Sequence, residues 1–115
     1  NKSLVRIGKK PAISYIIESY PHDTHFIITT GYYGNHVKEY IKLAHNNLNI
    51  KFVDVDKFEG VGSSLLYSMT SAKNYLQSEF IFHACDSITT KPINFVEGNV
   101  CISSKCSLFI ISGFL

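Results

Sequence analysis

Asp86 closes the apolar run Phe80-Ile81-Phe82-His83-Ala84-Cys85. A short, continuously apolar run reads as a strand buried on both faces. An acid placed directly after it arrives at the strand's carboxyl end, where open α/β sheets bind ligands and metals. Two other features gather around that acid. Glu59-Gly60-Val61-Gly62-Ser63-Ser64 is a Gly-rich turn ahead of an apolar helical pattern, and Lys2 opens a short apolar strand at the start of the chain. Each also has a purely structural reading. Asp86 caps a turn with Ser87, Ser63 or Ser64 caps the helix, and Lys2 is a solvated end residue. The two readings of the Gly-rich turn are compatible, because helix N-termini are also anion sites. His83, inside an apolar strand, reads as a hydrogen-bonded core histidine. His22, His25, His36 and His45 show no metal spacing, and Cys85, Cys101 and Cys106 read as small core residues.

The elements that must carry these residues alternate strand and helix. Residues 4–7 read as a strand ended by Gly8, and Pro11 opens a helix with Ile13, Ile16, Ile17 and Tyr20 on one face. Residues 26–30 form a strand, and Gly31-Tyr32-Tyr33-Gly34-Asn35 a loop. A helix follows with Val37, Tyr40, Ile41, Leu43 and Ala44 inward, ended by Asn46-Asn47. Residues 50–55 are a third strand. Leu65, Leu66, Met69, Ala72, Tyr75 and Leu76 mark a third helix, and residues 80–84 a fourth strand. Repeats of this length imply βαβ units and right-handed crossovers. The expected fold is a three-layer α/β/α sandwich with a mostly parallel, Rossmann-like sheet. Residues 89–115 fit less well: a turn at Thr89–Pro92, then strand candidates at 95–96, 99–102 and 108–111, expected as an irregular or antiparallel β addition.

Composition bounds the function. The 115 residues suffice for one domain and not for two. An apolar fraction of 45% with 13% aromatics is that of a globular chain. A net charge of +2 without a basic block gives no reason to expect nucleic acid as a partner. Three cysteines without a CxxC pair argue against a disulfide framework and for a reducing, cytoplasmic setting. No stretch reads as a signal peptide, and none approaches the ~20 apolar residues of a membrane span. The start at Asn1, without an initiator Met, reads as a processed start or a fragment. The apolar end Ser112-Gly113-Phe114-Leu115 reads as a face awaiting missing segments or an oligomeric partner.

Four segments resemble sugar-phosphate nucleotidyltransferases. Asn1-Lys2-Ser3-Leu4-Val5-Arg6-Ile7-Gly8-Lys9-Lys10-Pro11-Ala12-Ile13 is similar to that family's "PKPLVPVGGKPLI" segment, and Ile27 to Tyr32 to its "iivtGY" strand and loop. Gly60-Val61-Gly62-Ser63-Ser64-Leu65 is similar to the "GTAxAL" turn, and Phe80 to Asp86 to the "fllvnGD" strand. The resemblance covers roughly residues 2 to 88. It implies transfer of a nucleotidyl group from an NTP to a sugar phosphate or similar phosphorylated alcohol, with pyrophosphate leaving. Asp86 would then hold Mg²⁺, and Lys2 would place positive charge on phosphate. Gly60 and Gly62 would let the backbone lie against the base, with Ser63 and Ser64 completing the nucleotide-binding turn.

The departures shape the expectation. Cys85 stands where the family has Gly, and Val61 and Gly62 stand where it has Thr and Ala. The family's GxGxR triphosphate loop lies upstream of the position of Lys2, and its second metal acid lies beyond that of Leu115. These 115 residues alone are therefore expected to transfer little or nothing. A truncated or non-catalytic module of the same fold, used for binding or assembly, is the alternative reading.

Overall fold

Arg6–Ile7 (β1) and Lys10–Pro11 (β2) form a small antiparallel hairpin with Ile7 opposite Lys10. Gly8 turns it at φ +66°, left-handed backbone that a two-residue hairpin turn uses and glycine adopts without a Cβ clash. The computed structural model describes residues 2–56, 65–93, 100–102 and 110–112. The hairpin corrects the expectation of a main-sheet strand at residues 4–7. Lys2–Leu4 is a 3₁₀ turn, and β1 pairs with β2 in a sheet of their own. Val5 and Ile7 are 56% and 45% exposed and stay out of the core, while Leu4 packs against it from the 3₁₀ turn.

Pro11 sits at the N-cap of Ala12–Glu18 (α1), where its fixed φ and missing N–H break no helical bond. Ile13, Ile16 and Ile17 are buried on one face, with Tyr20 just beyond the helix end. The main sheet is built from His25–Thr30 (β3), Asn49–Asp54 (β4), Phe80–His83 (β5), Val100–Ile102 (β6) and Ile110–Ser112 (β7). Gly34–Ala44 (α2) connects β3 to β4, and Leu65–Ser71 (α3) lies between β4 and β5. The strand order is β4-β3-β7-β5-β6. β3 and β4 are parallel, as are β5 and β6, while β7 runs antiparallel between β3 and β5. Four strands therefore share one direction, and the chain is a mixed α/β fold.

The end of the chain departs from the expected β addition. β7 is antiparallel, but it lies inside the sheet, and β6 is parallel to β5. The strand candidate at 95–96 and the apolar residues 113–115 lie outside the described residues.

Alternation along the strands divides the core. Phe26 and Ile28 join Ile81 of β5, Ile13, Ile16 and Ile17 of α1, and Val37 and Ile41 of α2. Ile27 faces the other way, with Phe82, Ala84 and Ala72, and Met69 of α3 packs against that cluster. Burying each such large apolar side chain stabilises the fold by about 1.5–3 kcal/mol. Two leucines expected inside lie outside: Leu43 is 83% exposed and Leu66 74%. On α2 the inward stripe is Val37 and Ile41, four positions apart, and Leu43 falls two positions off it.

A buried polar knot joins the helices that bracket β3. Ser14 Oγ lies 2.6 Å from Tyr40 Oη and 2.9 Å from His45 Nε2. Burial holds the His45 imidazole below its ordinary value, against the opposing pull of Glu18 and with a smaller contribution from Lys10 in the same direction as burial. Among the described residues no helix is long and apolar enough to cross a membrane.

Two outcomes follow from this packing. Ile16→Ala, at a position with no exposed surface, lowers unfolding free energy by about 2–5 kcal/mol, whereas Leu43→Ala changes it by less than about 0.5 kcal/mol; urea denaturation of both checks the assignment. The His45 shift fixes a pH sign. Above the ordinary imidazole value of ~6.5 the ring is neutral in both states and nothing is lost. As pH falls below it, the unfolded chain takes the proton more readily, so stability declines. His45→Gln makes the decline between about pH 6.5 and 5 shallower, read as melting temperature against pH.

Candidate functional site at the carboxyl edge of the sheet

β5 delivers Asp86 as the sequence requires, through a turn at residues 84–87 closed by the Ser87 N–H donating to Ala84 O at 3.2 Å. The carboxylate is 23% exposed, and its Oδ2 lies 4.0 Å from Lys2 Nζ. Lys2 reaches it from the 3₁₀ turn that precedes β1, so the two charged residues from opposite ends of the resemblance meet at one edge. The lysine side chain is 74% exposed. Such a pair contributes little to stability, and Lys2 can swing toward an incoming anion.

Beneath Asp86 runs a buried hydrogen-bond chain. His83 has no exposed surface. Its Nε2 lies 2.5 Å from Ser87 O, and because a carbonyl only accepts, Nε2 carries the proton. Nδ1 then offers its lone pair to the Tyr20 hydroxyl, 2.7 Å away. Burial pushes the Tyr20 phenol well above its ordinary value, so it stays a donor. Burial also holds His83 below the usual imidazole value, opposed by the Ser87 carbonyl.

A second charged group stands at the end of β4. Thr30 Oγ1 donates to Asp54 Oδ1 at 2.7 Å, and Lys38 of α2 donates to Oδ2 at 2.7 Å. Lys38 first, then Thr30, holds the Asp54 carboxyl below its usual range. Gly34 opens α2 against this group, and a Cβ there would meet Thr30 Cβ at 3.1 Å. In the loop before it, Tyr33 has φ +54°, left-handed backbone that an aromatic residue seldom adopts. Its ring lies 4.3 Å from that of Tyr32 in an exposed T-shaped pair. β4 and β5 are separated by β3 and β7, about 14 Å at the usual strand spacing. Asp54 and Asp86 thus cannot share one ion across that distance. Among the described residues no three His, Cys, Asp or Glu side chains form a metal-binding group.

The Gly-rich turn, with Gly60, Gly62, Ser63 and Ser64, lies outside the described residues. Its flanks are joined: Tyr67 of α3 donates its hydroxyl to Asp56 Oδ1 at 2.5 Å. Asp54 and the Tyr20–His83 pair were missed by the sequence reading. Asp54 had a usable signal, since it ends the run Ile50-Lys51-Phe52-Val53 much as Asp86 ends its own. The Tyr20–His83 pair had none, because its members lie 63 positions apart.

Comparison with protein-family models, curated proteins and solved structures finds no match. The resemblance to nucleotidyltransferases rests on the four quoted sequence segments alone.

If Lys2 is placed for a ligand rather than for the fold, Lys2→Ala leaves the urea midpoint unchanged, within about 0.5 kcal/mol of unfolding free energy. A larger loss would make the contact with Asp86 structural.

Proposed function

We propose that this chain is a nucleotidyltransferase-like domain, a three-layer α/β/α sandwich of the kind that moves a nucleotidyl group from an NTP to a sugar phosphate or similar phosphorylated alcohol, with these 115 residues by themselves transferring little or nothing. The observation that carries the reading is Lys2 Nζ lying 4.0 Å from Asp86 Oδ2 at the end of β5, a cation and a carboxylate at the sheet edge where α/β folds bind ligands. The layered architecture is supported by the two core clusters, one taking α1 and α2 and the other taking α3. A reducing, cytoplasmic setting suits the cysteine pattern.

The residues present fit magnesium in one respect. Mg²⁺ keeps several waters and takes one or two carboxylates together with substrate phosphates, so a single half-buried carboxylate suffices on the protein side. Asp86 would hold the ion, which when bound neutralises charge on the transferring phosphates. Lys2 would bind a phosphate oxygen and offset its charge. Gly60 and Gly62 would let the chain approach the base. Positioning and charge neutralisation are the protein's main contributions to such a transfer, in which an acceptor phosphate oxygen attacks the α-phosphorus in line and pyrophosphate leaves.

The test is Asp86→Asn in the full-length protein. Asn keeps the shape and caps a turn about as well as Asp, so the melting temperature holds, while Mg²⁺-dependent transfer falls roughly a hundredfold or more. Unchanged turnover and Mg²⁺ titration would make Asp86 a turn residue and remove the active-site assignment. An Asp86-independent protein that binds no NTP would be the binding or assembly module instead.

A further inference from the structure

We infer that Tyr20 and His83 form a positioning brace that fixes the turn carrying Asp86, and that the metal-holding geometry of that carboxylate depends on it. The second half of the inference rests on the function proposed above. The first half rests on geometry alone.

The chain leaves β5 at His83 and carries no helix or strand through residues 84–93. A carboxylate on such a segment is held no better than its backbone is. Here the backbone is tied at both polar groups of Ser87: its N–H donates to Ala84 O at 3.2 Å, and its carbonyl accepts from His83 Nε2 at 2.5 Å. His83 is itself immobile, being on a strand, without exposed surface and held at its other nitrogen by Tyr20. Tyr20 is anchored in turn, 6% exposed and edge-on to Phe26 with centroids 6.0 Å apart. Further along, the Ile93 N–H donates to Ser19 O at 2.7 Å. The segment after Asp86 is thus secured to the end of α1 twice, once through His83 and Tyr20 and once directly.

A histidine satisfies this arrangement where an apolar residue does not. The neutral ring offers one donor and one acceptor in fixed opposition, and both are used. Replacing it with an apolar residue would remove the donor to the part-buried Ser87 carbonyl and the acceptor of the buried Tyr20 hydroxyl, and the turn would then be freer to relax toward water. Groups that orient a metal-holding side chain through its surroundings commonly change metal affinity when removed.

The experiment compares the wild-type chain with His83→Phe, His83→Gln, Tyr20→Phe and Asp86→Asn. Three quantities are read: amide hydrogen exchange at residues 85–87, Mn²⁺ affinity by water-proton relaxation, and melting temperature. His83→Phe keeps an aromatic ring and loses both nitrogens. It is expected to speed exchange in the turn at least tenfold and weaken Mn²⁺ binding roughly 10- to 100-fold. His83→Gln retains a side-chain donor for Ser87 O and restores most of both, which a loss of packing alone would not do. Tyr20→Phe lies between them. Wild-type exchange and wild-type Mn²⁺ affinity in folded His83→Phe would overturn the brace; were that variant unfolded, unchanged exchange in Tyr20→Phe together with no advantage of Gln over Phe would overturn it equally. The metal reading fails separately, if wild type and Asp86→Asn bind Mn²⁺ alike. Exchange in the turn then decides the brace by itself.

Discussion

A strand with no solvent side has nowhere to put a charge except its ends. β3 and β5 are in this position: Phe26, Ile27 and Ile28 are all buried, as are Ile81, Phe82 and His83. Moving an unpaired charge into either would cost several kcal/mol, so polar chemistry is displaced to where the strands stop. Thr30 and Asp86 lie at or just past these ends, and Asp54 closes the partly exposed edge strand β4 beside them. The location of the candidate site is therefore set by the same burial that stabilises the sheet, before any ligand is considered.

Polar groups do remain inside, and two sets of them are partnered across elements, whereas the buried hydroxyls of Thr24 and Thr29 have no hydrogen-bond partner among the described residues. Ser14, Tyr40 and His45 satisfy one another between α1 and α2, while Tyr20 and His83 do so between α1 and β5. Both sets begin on or just after α1, which makes that short helix the element to which α2, β5 and the segment at Ile93 are all referenced. Buried polar pairs of this kind contribute little net energy but penalise any misfit strongly.

Periodicity made β3, β4, β5, α1 and α2 legible to within about two residues, because each has a period that one buried face or two buried faces impose, whereas α3 stops at Ser71, short of the expected Leu76. It failed where apolar residues serve no core. Val5 and Ile7 look like strand residues, yet Gly8 reverses the chain after them and both remain partly in water. Leu43 and Leu66 fit a helical list by composition while missing the inward stripe by position. At the edge, Asp86 was readable because it interrupts an apolar run. Its closeness to Lys2, and the Tyr20–His83 contact, are products of tertiary folding that no local pattern encodes.

The placement of β7 has a kinetic meaning. β3 and β5 do not pair with each other; each pairs with β7 on facing sides, through two and three register positions respectively. Until residues 110–112 are seated, the sheet is two separate halves spanned by α1 across a gap one strand wide. The facing edges carry unpaired N–H and C=O groups, the kind of surface that recruits strands from other molecules. Closing the gap needs contacts between residues more than eighty positions apart, such as Phe26 with Ile111, and pairings that distant in sequence form slowly. On a ribosome, most of the domain would be made and partly packed while that slot stood open. Its period of greatest exposure to aggregation would therefore end only when the last described strand arrived.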